Sequence, residues 1–226
     1  MRAGIKARRG ALTSAAGFLV ALAGVGLLAS PAVGSGVSDP TSMEAVASAV
    51  LFGRTMPPAE LTTDLPAAIQ SRVADYRKRE AAFRSTLTAP PGATPDEQRS
   101  FEQRVGIERV VFSLFDRRDS ARFAALYALD VDVASDDWER SPEQPRQEAN
   151  FINRLLGDLP QPWLAPYLNL VAGHRRLCAS QIDGTDGQDA ARAKGQLGVA
   201  AKAGHPLIRA IAEYVITAAR PCSPSI

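Results

Sequence analysis

The chain has 226 residues, of which 46% are hydrophobic and 22% charged, and 26 Lys and Arg stand against 24 Asp and Glu. Four of the cations, Arg2, Lys6, Arg8 and Arg9, lie at the N-terminus, and without them the balance is 22 against 24, a net charge of −2. The remaining Arg residues are interspersed with acidic ones. The basic surface that nucleic-acid binding requires is therefore missing, and we exclude that class of protein.

The first 36 residues have the pattern of a secretory signal peptide. The basic start is followed by an uncharged run, Gly10–Gly36, which is apolar from Gly17 to Ala29. Small residues follow, as signal peptidase requires, and they place cleavage between Ala32 and Ser38. We therefore expect residues 1–36 to be removed and the mature protein to be periplasmic or secreted.

The same segment bears on membrane attachment. A retained anchor is the alternative, because the apolar run approaches the roughly 20 residues that span a bilayer. Its Ala and Gly content and Pro31 favour removal, and the first cysteine, Cys178, is too far from the cut to carry a lipid. We expect no permanent membrane anchor. The Arg8-Arg9 pair leaves twin-arginine export open beside the Sec route.

Helix signals follow one another along the mature chain. Thr41 and Glu44 are spaced as a capping box, and Gly53 ends the first helix. Further helices are expected over Leu65–Leu87, Pro95–Asp116, Ser120–Leu129, Ser141–Leu159, Pro160–Ile182, Gln188–Ala203 and Pro206–Ala219. No sustained run of alternating β-branched residues interrupts them. Residues 37–226 are predicted to form one all-α domain, a single bundle of about seven or eight helices built from antiparallel helical hairpins.

Two cysteines remain in the mature part, Cys178 and Cys222. An oxidising compartment favours a disulfide between them. Their separation of 44 positions corresponds to about 4 kcal/mol in the chain-entropy model. The alternative is a nucleophilic thiol at Cys178 beside His174, which requires a reduced cysteine and suits the cytoplasm better.

The sequence predicts neither a metal nor a cofactor. Asp183, Asp186 and Asp189 lack the spacing of a calcium loop, and the acidic segment Asp130–Arg140 is typical of a solvated loop. The motifs of zinc hydrolases, phosphate-binding loops and serine hydrolases are absent from the sequence.

One group of polar residues falls on positions where helical periodicity puts apolar ones. Glu108 lies three residues after Val105 and four before Phe112, and His174 lies on the apolar stripe of a later helix, next to Arg175 and Arg176. A buried carboxylate is costly unless it is paired. We therefore expect Glu108 to pair with His174 or one of the arginines, either as a structural contact or as a catalytic group.

These patterns favour an exported binding or protein-interaction module of the cell envelope, whose partner is a protein or an envelope component. The first alternative is a small envelope hydrolase, with Glu108 as general acid or base and His174 and Arg175 in support. The second is a periplasmic immunity or inhibitor protein. An open cleft lined by Glu108 and His174 would favour the hydrolase, and burial of both would favour the binding module.

Overall fold

The computed structural model describes residues 41–117, 123, 141–158, 162–184, 187–218 and 222. These ranges contain seven α-helices and no strand, so the all-α prediction is confirmed. In chain order the helices are α1 Ser42–Phe52, α2 Ala67–Ala82, α3 Pro95–Phe115, α4 Glu143–Asp158, α5 Ala165–Asp183, α6 Gln188–Ala201 and α7 Pro206–Thr217, with a 3₁₀ turn, Ala59–Thr62, between α1 and α2.

Three sequence predictions fall outside the described residues. They are the signal segment of residues 1–36, the helix expected over Ser120–Leu129 apart from Phe123, and the acidic segment Asp130–Arg140. The chain divides into two compact units, Met1–Ser38 and Asp39–Ile226, and every described residue belongs to the second.

Helix α1 begins and ends as its sequence predicts. The Thr41 side chain accepts a hydrogen bond from Glu44 N at 3.2 Å, and Gly53 ends the helix at a φ of +67°. Gly53 also lies against Gly106 of α3, where a Cβ atom would sit 2.7 Å from the Gly53 carbonyl oxygen. The two glycines therefore allow α1 and α3 to approach closely.

Helix α2 is shorter than the apolar periodicity predicts. It ends at Ala82 rather than Leu87, because Phe83 takes an extended conformation with ψ of 137°. The Phe83 ring packs against Phe112 at 5.7 Å, and the two residues after Arg84 hydrogen-bond to α3. Contacts with α3 thus override the local helical pattern at the end of α2.

Helix α3 has the predicted start. Glu97 N donates to Thr94 Oγ1 at 3.3 Å and Thr94 N donates to the Glu97 carboxylate at 2.7 Å, which completes a capping box. Helix α3 continues to Phe115, and Asp116 follows in the left-handed conformation at a φ of +53°.

Helix α5 packs against α4, α6 and α7, and α7 also packs against α1 and α2. Helices α6 and α7 form the predicted hairpin across the loop that contains Gly204 and His205. Gly173 allows α5 and α6 to approach closely, because a Cβ atom there would sit 2.8 Å from Leu197 Cγ. Because α5 packs against three other helices, its buried polar side chains face those neighbours rather than solvent.

Among the described residues, none of the helices combines the length and the apolar character that crossing a membrane requires.

Candidate functional site

Glu108 is buried, as its position on the α3 stripe predicts, with 2% of its surface exposed. Its carboxylate accepts hydrogen bonds from Ser85 Oγ at 2.7 Å and from Thr86 Oγ1 at 3.0 Å. Both donors are exposed residues of the segment that follows α2. The hydroxyl side chains of these two residues therefore lie between the Glu108 carboxylate and solvent.

The expected pairing of Glu108 with His174, Arg175 or Arg176 is wrong. Helix α3 packs mainly on α1 and α2, whereas the three basic residues belong to α5. The early end of α2 supplies Glu108 with its hydroxyl partners, and Arg175 pairs with a different carboxylate. Helical periodicity predicted the burial of Glu108 correctly, although Val105 and Phe112 of the same stripe are only half-buried. It did not identify the partners of Glu108.

Arg175 is the centre of a buried polar cluster and is 3% exposed. Its Nε donates to Glu148 of α4 at 2.7 Å, and its Nη2 donates to the carbonyl of Leu51 at the end of α1 at 2.8 Å. The guanidinium also lies 4.8 Å from the centre of the Phe52 ring. One side chain thus connects α1, α4 and α5 by charge-assisted hydrogen bonds, so its role is to hold these helices together.

His174 is fully buried and lies beside the disulfide. Arg175 Nη1 is 2.9 Å from His174 Nδ1, and because arginine only donates, Nδ1 is the acceptor. The ring proton is therefore on Nε2, which lies 3.6 Å from Cys178 Sγ. The ring of Phe52 contacts the imidazole edge to face at 5.5 Å.

A second ionic cluster joins α4, α5 and α6. Arg176, which is 2% exposed, donates to Asp189 Oδ1 at 2.6 Å and to Asn150 Oδ1 at 2.7 Å. Arg146 Nε binds the other oxygen of Asp189 at 2.7 Å. Burial raises the pKa of Asp189, but the hydrogen bonds from the two arginines outweigh it and hold that pKa below its usual value.

The sulfur atoms of Cys178 and Cys222 lie against each other, with their Cα atoms 5.3 Å apart, so the predicted pair is at disulfide distance. With His174 they form a group whose metal-ligand atoms all lie within 4.8 Å of one another. A metal would require two separate thiolates, and a metal-bound histidine usually donates its second ring N–H to an acceptor. Here the thiols are joined and Nδ1 faces an arginine donor, so this geometry favours the disulfide.

A cavity of about 330 Å³ opens elsewhere, where α2 meets the end of α3 and the loop between α6 and α7. The residues around it that carry polar groups are Arg72, Asp75, Tyr76, Arg79, Ser113 and His205. Glu108, His174 and Arg175 do not line it. The hydrolase alternative required the first two in an open cleft, and the described part of the chain places neither in this one.

The sequence could have revealed part of this arrangement. Glu148 lies four residues before Ile152 and seven before Leu155, so its place on an apolar stripe predicts burial, as it does for Glu108. No sequence pattern indicates the cavity, because Tyr76 falls on the apolar stripe of α2 and Arg72 on its charged face.

Comparisons with known proteins found nothing similar: no protein-family model matches the chain, and no curated protein or solved structure matches it.

Proposed function

We propose that the mature chain is an exported helical binding module of the cell envelope, and that its ligand engages the cavity between α2, the end of α3 and the loop between α6 and α7. The observation that carries the proposal is the burial of Glu108 and His174, at 2% and 0% exposed, with hydrogen bonds to different parts of the protein. A general acid or base must come within hydrogen-bond reach of its substrate. Neither side chain does so without displacing its present partners.

The cavity favours a small ligand over an extended macromolecular interface. Its volume lies near the lower end of the roughly 300–1,000 Å³ typical of small-molecule sites. Its polar residues come from α2, from the end of α3 and from the loop before α7, so several elements fix their positions.

Ligand retention by the mature protein tests this function. Protein recovered from the envelope fraction is incubated with a small-molecule extract of the same fraction, filtered and denatured, and the released compounds are identified by mass spectrometry. Gly204 lines the cavity and has open space around its Cβ position, so Gly204→Trp places a large ring at the cavity. Gly195 has equally open space but does not line the cavity, so Gly195→Trp is the matched control.

We expect a compound that is retained by the parent protein and by Gly195→Trp and lost from Gly204→Trp. Retention by both variants would contradict binding at the cavity. Turnover of ester or amide substrates that Glu108→Gln abolishes would instead establish the hydrolase. A stoichiometric complex that blocks an envelope enzyme would favour the inhibitor alternative.

Export is tested separately, by N-terminal sequencing of the protein recovered from the envelope. We expect the mature chain to begin between Val33 and Asp39, because the small residues that signal peptidase requires lie in this window. Recovery of a chain that still begins at Met1 would contradict removal of the segment.

A further inference from the structure

The cavity proposed as the binding site carries an excess of positive charge. Arg72 and Arg79 line it together with a single carboxylate, Asp75, which lies 3.7 Å from Arg72. The side chains of Arg72 and Asp75 are 52% and 51% exposed, so this ion pair is weak and open to competition. Arg79 has no carboxylate partner among the described residues, and its charge is left for a ligand.

Arg79 retains hydrogen-bonding capacity toward the cavity. Its Nη1 donates to the carbonyls of Ser113 and Leu114 at the end of α3, at 3.1 and 3.2 Å. Within the described part of the chain, Nε and Nη2 have no acceptor. The guanidinium is therefore held in place by α3 while two of its nitrogens stay available, which is how a preorganised anion-binding arginine is arranged.

The start of α7 borders the same cavity. His205 caps this helix by accepting from Ile208 N at 3.4 Å, and Pro206, the first helical residue, has no N–H. Leu207 lines the cavity. It is the second residue of the helix, so its N–H is one of the first four, which have no acceptor within the helix. The positive end of the α7 dipole thus adds to the charge of the arginines.

Two buried hydroxyl groups lie in the floor of the cavity. Tyr76 is 1% exposed and Ser113 is fully buried, and both line the cavity. The hydroxyls lie side by side, yet neither completes a hydrogen bond of normal geometry within the described chain. Burial, followed by the nearby Glu80, raises the pKa of Tyr76, so its O–H stays protonated and can donate.

We propose that this cavity binds the oxyanion group of a small molecule, a phosphate or a carboxylate, between Arg79, Arg72 and the N-terminus of α7. Arg79 supplies the fixed charge and the directional donors. Arg72 leaves Asp75 to contact the ligand at the rim, and the hydroxyls of Tyr76 and Ser113 lie beneath the bound group. This inference rests on the proposed binding function and specifies the chemical class of the ligand.

The chain has two histidines, which makes imidazole NMR a direct readout. His205 lines the cavity, and burial, together with the charges of Arg72 and Arg79, holds its pKa below the usual value. An anion beside these arginines offsets their charge and should shift the His205 ring signals and raise this pKa. His174 is fully buried and does not line the cavity, so its signals serve as the internal control.

The mature protein is titrated with inorganic phosphate and, in a second arm, with succinate, with sodium chloride holding the ionic strength constant. We expect saturable shifts of the His205 signals, and the arm with the tighter binding shows whether the group is a phosphate or a carboxylate. Arg79→Gln should weaken binding about tenfold, the loss of one charge-assisted hydrogen bond. Lys78→Gln removes a charge from an exposed neighbour on α2 that does not line the cavity, and should change binding by less than about twofold.

Arg72→Gln provides a second test that does not disturb the fold, because Arg72 is exposed, whereas Arg79 also caps α3. Absence of a His205 response in both arms, or binding to Arg79→Gln and Arg72→Gln as tight as to the parent, overturns the oxyanion proposal. If a ligand without an acid group is nonetheless retained and lost in Gly204→Trp, the oxyanion class is wrong and the binding function stands. If no ligand is retained at all, the binding function and the oxyanion proposal are both wrong.

Discussion

Replacing Glu148 with Ala removes the carboxylate that accepts from Arg175 Nε at 2.7 Å. The two side chains are 2% and 4% exposed, so the ion pair is shielded from solvent. Arg175 would keep its hydrogen bond to Leu51 and its contact with the Phe52 ring, but its charge would lie buried without Glu148. The variant therefore tests whether the cluster around α5 supports the fold.

The expected cost follows from this burial. Removing one partner of a buried ion pair destabilises a protein by about 3 to 5 kcal/mol, whereas an exposed pair contributes roughly 0 to 1 kcal/mol. Because Arg175 keeps other contacts, we expect about 3 kcal/mol. A domain of this size loses roughly 2–4 °C of melting temperature per kcal/mol, so Glu148→Ala should melt about 10 °C lower.

Urea denaturation of the oxidised mature protein, followed by far-UV circular dichroism, measures this loss. Glu143→Ala is the matched control on the same helix, because the Glu143 side chain is 63% exposed and pairs with Arg146 at the surface. The double variant Glu148→Leu and Arg175→Met removes both charges and should recover part of the stability, because the Leu51 carbonyl and His174 Nδ1 still lose their donor. If Glu148→Ala were as stable as Glu143→Ala, the structural role assigned to the cluster would be refuted.

The remaining predictions concern stability and oxidation state. Ser85→Ala removes a donor to the buried Glu108 and should cost about 1.5 to 3 kcal/mol in urea denaturation, whereas Glu108→Gln, which keeps the shape and an acceptor, should cost less; the reverse order would contradict the assigned contact. Burial, with Arg72 and Arg79 adding to it, holds the pKa of His205 below its unfolded value, so its contribution to stability is present above about pH 6.5 and is lost as the pH falls toward the folded pKa. His205→Asn keeps a capping side chain without the titration and should flatten the difference in unfolding free energy between neutral and mildly acidic pH; an unchanged pH profile would exclude His205 as its source. Thiol labelling of the unfolded, unreduced protein should find no free Cys178 or Cys222, and reduction should cost up to about 4 kcal/mol; two labelled thiols would contradict the pairing.

Helix boundaries could be predicted from the sequence where the signal is local. The capping box of Thr94 and Glu97 and the end of α1 at Gly53 involve residues a few positions apart. The end of α2 could not be predicted, because it depends on hydrogen bonds from Ser85 to Glu108, 23 positions away. Apolar periodicity continues past Ala82 without regard to that contact.

The burial of Glu108 was predictable and its partner was not, for a related reason. Periodicity shows which face of a helix is buried, but the neighbouring helix depends on the whole fold. The role of Asp189 could not be predicted for a different reason. It lies in the first turn of α6, where acidic residues are favourable in any helix. Nothing in its local sequence distinguishes the partner of Arg176 from an ordinary first-turn carboxylate.

The position of α5 explains why three consecutive polar residues occur in a buried helix. Successive side chains point about 100° apart, so His174, Arg175 and Arg176 face different neighbours. His174 lies beside Cys178, Arg175 binds Glu148 of α4, and Arg176 binds Asp189 of α6. A helix packed against three others has little solvated face, so each of these side chains has a protein partner, although Arg176 Nε itself has no acceptor in the described chain. Their donors are bound within the fold or, like Arg176 Nε, buried out of a ligand's reach, and a ligand must be recognised where donors remain available. In the described part of the chain, the cavity beside Arg79 meets that condition.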